Sequence, residues 1–308
     1  MKSLICQSMQ LGVLRLLIGL LFVTPCGFPA ADAQSTTKPQ DPQDVDQKPL
    51  KELILPGEAF LLDDHPAFIY WPDDALRNKP QPWVFYAPTL PGFPDSHEKW
   101  MHERFLEAGI AVAGIDVGEA YGSPESRAVF DRFYQQVTAD YGLAMKPCLL
   151  GRSRGGLWVS AWACDHAERF AGLAGIYPVF DFRTYPGLAA AAPAYQLSVA
   201  DLEGKLDILN PIRRMPVLAR VGLPTFIIHG ELDTVVPLKE NSAAFAQAYQ
   251  DAGNGEAVHV IVAEGQGHNY WEGFFRCQPL IDFVIERARA GAAATSSNDA
   301  APSPGKNE

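Results

Sequence analysis

At 308 residues, with 47% hydrophobic and 20% charged side chains, the chain can bury a sizeable core without disulfides or a structural metal. Its formal net charge of −11 repels nucleic-acid phosphates and anionic lipid headgroups, so neither is expected as a partner.

Residues 1–33 read as a signal peptide. Lys2 and Arg15 give a basic start, Leu16 to Val23 is apolar, and Ala31-Asp32-Ala33 has the small-x-small form of a cleavage site. The apolar stretch is shorter than the roughly 20 residues a spanning helix needs. Cleavage after Ala33 predicts a periplasmic or secreted protein that begins at Gln34 and keeps no membrane span. Cys26 raises a lipoprotein reading, which Pro25 before it fits badly. Residues 34–49 read as a flexible leader, 50–290 as one domain, and 291–308 as a disordered tail.

Within the domain, LKELIL predicts an opening strand, and AFLLDD with AFIYWP a hairpin. WVFYAP, IAVAGIDV, KPCLLG, FAGLAGIY, PTFIIHG and VHVIVAEG follow. These six near-continuous apolar runs are of strand length, as expected for strands covered on both faces. Apolar spacing of three and four predicts helices over Ser96–Ala108, Ser123–Tyr141, Gly155–His166, Leu238–Ala252 and Gly273–Ala290. The alternation implies an α/β fold with a mostly parallel central sheet flanked by helices. Sites in such sheets lie at the carboxyl ends of the strands. Residues 177–221 interrupt the alternation with aromatics and a short helical stretch, and can form a small cap.

The polar motifs fall where that rule places a site. Gly151-Arg152-Ser153-Arg154-Gly155 sits between a predicted strand and a predicted helix. This is a G-x-S-x-G elbow, in which small flanking residues permit a strained turn that lifts the serine hydroxyl. Asp233 follows a strand in the pattern H-G-x-x-D-x-x-V-P, with Glu231 as its competitor. His268 lies in a glycine-bracketed turn after the last strand, downstream of the acid loop. His229 is expected to fix the acid turn, and His259 lies within a strand. Ser153 as nucleophile, His268 as base and Asp233 as the acid that orients it follow the chain order of α/β-hydrolases.

On these motifs the sequence from about Pro82 to Ala290 resembles the α/β-hydrolase superfamily, near its dienelactone hydrolase and prolyl-oligopeptidase-like branches. The resemblance implies an oxyanion hole from the backbone N–H groups of Arg154 and Leu90. Here Pro88-Thr89 stands where many relatives carry His-Gly, and Pro88 has no N–H to donate. An arginine directly after the serine is a local similarity to glucuronoyl esterases. Arg152, Arg154, Tyr177 and Phe180 are the candidate substrate contacts.

The leading expectation is a serine hydrolase acting on carboxylic esters, including carbohydrate-linked ones. The alternatives are a prolyl-oligopeptidase-like peptidase and a non-catalytic binding protein on the same fold. No metal or organic cofactor is expected, since His97 and His102 lack the H-E-x-x-H pattern. After cleavage three cysteines remain, an odd number. Cys148 on a strand and Cys164 on its packed helix are expected to lie beyond bonding range, as free thiols.

Overall fold

The computed structural model describes residues 50–299. The signal-peptide and leader assignments fall on residues outside this range. The chain opens with a hairpin of strands β1 (Gly57–Leu62) and β2 (His65–Tyr70). Strand β3 (Trp83–Ala87), helix α1 (Ser96–Glu107), strand β4 (Ala111–Ile115) and helix α2 (Pro124–Ala139) follow. Then come β5 (Cys148–Arg152), α3 (Gly155–Asp165) and β6 (Gly172–Ile176). Short helices α4 (Leu188–Ala191), α5 (Val199–Glu203) and α6 (Leu206–Leu209) precede α7 (Pro211–Val221) and β7 (Thr225–Gly230). Helix α8 (Ala244–Asp251), β8 (Val258–Ala263), α9 (Glu272–Phe275) and α10 (Gln278–Asp299) complete the chain.

The eight strands form one sheet in the order β1-β2-β4-β3-β5-β6-β7-β8. Strands β3 to β8 pair in parallel, and the hairpin joins β4 antiparallel. The strand order reverses about β3, whose neighbours β4 and β5 lie on opposite sides of it. A crevice forms at the carboxyl ends where such a reversal occurs, and Ser153 is the first residue after β5.

Alternate side chains of each central strand enter opposite cores. Trp83, Phe85 and Leu149 face the core built by α2, α3, α7 and α8; Val84, Tyr86 and Leu150 face that of α1 and α10. Burial on both faces is why these strands read as unbroken apolar runs. Cys148, Cys164 and Cys277 are free and buried.

Three expectations need correcting. LKELIL is not a strand: Leu53, Ile54 and Leu55 pack as side chains against the second core, and the sheet begins at Gly57. The segment from Gly273 is two helices, not one. The second runs through 291–299, where a disordered tail was expected; residues 300–308 lie outside the described range. Two contacts dock this end. A Cβ on Gly291 would strike the Lys146 carbonyl, and Thr295 Oγ1 accepts from Met145 N–H at 3.1 Å. An alanine-rich stretch carries little apolar periodicity yet has the best helix propensity.

Residues 177–221 hold the three short helices and then α7, which packs on α3 and α8. The insertion is anchored by buried Phe182, Tyr195 and Leu202. Among the described residues no helix is long and apolar enough to cross a membrane.

His102 makes a test of burial energetics. It is fully buried between Tyr70, Tyr86 and Phe105, and neither ring nitrogen has a hydrogen-bond partner among the described residues. Burial pushes its pKa down to about 3; Asp95 pulls it up and Arg152 pushes it further down. A depressed folded pKa means the unfolded chain binds the proton first. The stability is therefore whole above the unfolded value of about 6.5, and drains as pH falls towards the folded value. The loss over that window is on the order of 4 kcal/mol. His102→Phe is expected to flatten the fall in urea-measured stability between pH 6.5 and 4. An unchanged slope would contradict this account.

Candidate active site

Ser153 sits at φ +50°, a left-handed conformation that strains a residue with a side chain. The surroundings hold it there. Its N–H donates to the Ile176 carbonyl at 2.9 Å, and its carbonyl accepts from Val179 N–H at 2.8 Å. The tight turn demands glycine two residues on: a Cβ on Gly155 would lie 2.2 Å from the Ala87 carbonyl oxygen. Helix α3 starts there, so its first free N–H groups face the serine.

The relay is continuous. Ser153 Oγ lies 2.9 Å from His268 Nε2, and His268 Nδ1 lies 2.7 Å from Asp233 Oδ2. A carboxylate only accepts, so Nδ1 carries the proton and Nε2 is left to accept from the serine hydroxyl. Asp233 Oδ1 accepts from Val235 N–H at 3.0 Å and Val236 N–H at 2.8 Å. Burial works to raise the Asp233 pKa, but hydrogen bonds from His229, His268 and Val236 outweigh it and hold the carboxyl well below the usual range. It is a firm anion beside the imidazole.

Glu231 is used elsewhere. Its Oε2 accepts from Gly265 N–H at 3.0 Å, bracing the base loop against the acid loop. His229 is fully buried; its Nε2 donates to the Val236 carbonyl at 2.8 Å and its Nδ1 accepts from Ser242 Oγ at 2.7 Å. It holds the acid turn.

The serine opens into a cavity of about 170 Å³. Pro88 and Phe93 wall one side and Tyr177, Tyr185 and Val235 the other, with Asn269 and Tyr270 beside the base. Among the described residues Arg152 and Arg154 are its two cations, and no carboxylate lines it. Arg154 is half-buried at the rim, where Nη1 pairs with Glu119. Arg152 also reaches the lining but is almost wholly buried, paired with Asp95 and Glu98.

Two expected site residues stand apart. Leu90 is not on the cavity wall. Its carbonyl accepts from Lys51 Nζ and from Phe93 N–H, and it pairs with Phe93 in a tight turn. Pro88 of this loop does line the cavity and abuts Gly155 of the elbow, but it has no N–H. The Arg154 N–H remains the donor that the elbow places beside the serine. Phe180 is fully buried against Phe245, 4.6 Å between centroids, with its N–H on Asn241 Oδ1. It is core, because the chain turns inward after Tyr177, which does line the cavity.

Phe93, Tyr185, Val235, Asn269 and Tyr270 were not foreseen. Tyr270 carried a faint signal, an aromatic two residues after the base. Asp95 and Glu98 carried a stronger one, the D-x-x-E of a capping box. Their second use, pairing with Arg152, had no local mark.

The prolyl oligopeptidase family model matches residues 133–278, a span that holds Ser153, Asp233 and His268. No curated protein sequence matches the chain. Among solved structures it is similar to MPT51 of Mycobacterium tuberculosis, at 16% identity and TM-score 0.61, over 76% of this chain and 99% of that one. It is similar to Est1E of Butyrivibrio proteoclasticus at 15% identity and TM-score 0.54, again over 76% and 99%. Dipeptidyl peptidase 4 of Porphyromonas gingivalis matches at 16% identity and TM-score 0.58, over 75% of this chain. The chain spans 35% of that peptidase, and 37% of a Bacteroides ovatus chain of dipeptidyl aminopeptidase IV type. At such identities the likeness speaks for the fold. Fold and relay together give the chain the α/β-hydrolase fold with Ser153, His268 and Asp233 in the arrangement of a serine hydrolase triad.

Proposed function

We propose that the chain hydrolyses carboxylic esters through an acyl-enzyme on Ser153. The observation that carries this reading is the unbroken Ser153–His268–Asp233 relay, with the imidazole already in the tautomer a base needs. His268 takes the Ser153 proton as Oγ attacks the carbonyl carbon. The developing oxyanion meets the Arg154 N–H and the start of α3. His268 then gives its proton to the departing alkoxide, and water repeats the sequence on the acyl-enzyme.

The cavity favours an ester over a peptide amino terminus. It is small, and among the described residues it holds no carboxylate that would pair with an ammonium group. The competing peptidase reading draws on the family match. A panel of acyl esters and aminoacyl amides separates them. Turnover of the esters with little of the amides is the expected result; preference for the amides would replace the first reading by the second.

The substrate's acid side is proposed to meet Arg154, whose guanidinium pairs with Glu119 through one arm. A guanidinium fork matches a carboxylate or adjacent hydroxyls better than an ammonium does. Arg154→Lys keeps the charge and loses the fork. It is expected to lower kcat/KM for a carboxylate-bearing or sugar ester by about tenfold, while sparing a neutral acetyl ester. Equal loss on both esters would make Arg154 scaffold.

A further inference from the structure

Arg152 directly precedes the nucleophile and is 4% exposed. Its Nη1 meets Asp95 Oδ2 at 3.0 Å and Glu98 Oε2 at 2.9 Å. Those two carboxylates also cap α1. Asp95 Oδ1 accepts from His97 N–H at 2.8 Å, and Glu98 Oε2 accepts from Asp95 N–H at 2.9 Å. Glu98 is fully buried, and its other oxygen accepts from the Tyr86 hydroxyl on β3. Two acids therefore answer a single guanidinium, one of them held in turn by the Tyr86 hydroxyl, which leaves the cation poorly placed to serve a substrate as well.

The rest of the guanidinium is enclosed by rings. Its carbon lies 5.0 Å from the Phe93 centroid, 5.3 Å from Tyr270 and 5.0 Å from Phe275. Each ring belongs to a different part of the site. Phe93 is on the cavity wall after β3, Tyr270 is two residues past the base, and Phe275 ends α9. Tyr270 also stacks on His97 of α1, 4.2 Å between centroids. Tyr177, whose ring lies 4.3 Å from His268, packs on Phe274 and Phe275. The elbow, the wall loop, the base loop and the start of α1 thus meet at one planar cation.

We propose that Arg152 is a positioning residue whose guanidinium plane ties the base loop and the cavity wall to the nucleophile elbow, setting the Ser153–His268 alignment. This rests on the reading of Ser153 and His268 as nucleophile and base. A planar cation can hold rings on its faces while its edge binds two acids; an ammonium can do only the second. Charge alone would hold α1 to the elbow but leave the base loop free to drift.

The test uses the full chain and an ester turned over by wild type. Arg152→Lys is expected to keep the fold by circular dichroism and lower kcat about 30-fold, with KM within about threefold, because misalignment acts on the chemical step. Arg152→Ala is expected to fall further and to be restored severalfold by millimolar methylguanidinium, not by methylammonium. Tyr270→Leu changes an exposed ring. It is expected to lower kcat alone, and to add little on top of Arg152→Lys if both act through one contact. Near wild-type kcat in Arg152→Lys, or equal rescue by the two amines, would overturn the proposal. If an arginine variant fails to fold, full activity in Tyr270→Leu overturns it as well. Activity surviving in Ser153→Ala would instead sink the underlying mechanism.

Discussion

Ser153→Ala is expected to abolish turnover and leave the fold intact. The hydroxyl is the only group in the relay that can form the acyl-enzyme, so removing it stops the pathway rather than slowing one step. Losses on the order of 10⁶-fold in kcat are typical where a triad acts as a unit. The fold should tolerate the change. Ala keeps the Cβ that already sits at φ +50°, and the bonds to Ile176 and Val179 are backbone bonds. Substrate binding and thermal midpoint should stay near wild type. Full activity in a clean preparation would remove Ser153 from the mechanism.

Asp233→Asn is expected to cost about 10⁴-fold in kcat through the wrong tautomer. The amide can donate to His268 Nδ1, which leaves the proton on Nε2, where it blocks acceptance from Ser153. Glu231→Gln is the matched control. Its oxygen braces Gly265 and is not bonded to the base, so the loss should be small. A larger loss at Glu231 would reverse the assignment. The same Asp233 variant has a stability signature. The folded carboxyl is held below its unfolded value, so its contribution is present above about pH 4 and is lost as pH falls through the folded value. Asp233→Asn should therefore be less stable near neutrality, and its stability should fall less steeply below pH 4.

The triad was legible because each member carries its own local mark. The elbow needs glycines at fixed offsets, the acid and base each follow an apolar strand, and chain order restricts the pairing. The central strands were legible for a related reason: burial on both faces leaves continuous apolar runs. What failed depended on tertiary contacts. LKELIL has the composition of a strand, yet Lys51 turns inward to the Leu90 carbonyl and the apolar side chains join a core. That bond and the turn to Phe93 belong to a loop that presents Pro88 and Phe93 to the cavity instead of Leu90. Phe180 lay in an aromatic-rich stretch near the site, but which aromatics face the cavity is decided by the turn after Tyr177. The Arg152 cluster joins residues from positions 93 to 275, and no sequence window contains them.

The most direct test is covalent labelling with a fluorophosphonate, which reacts with a serine only when a base has activated it. Trypsin would cut on both sides of Ser153, at Arg152 and Arg154, so a chymotryptic digest should be read by mass spectrometry. The expected result is one phosphonyl group per chain, on the peptide bearing Ser153, formed at a rate that collapses in His268→Ala. An active protein that stays unlabelled, or one labelled at another serine, would contradict the assignment of Ser153 as the nucleophile.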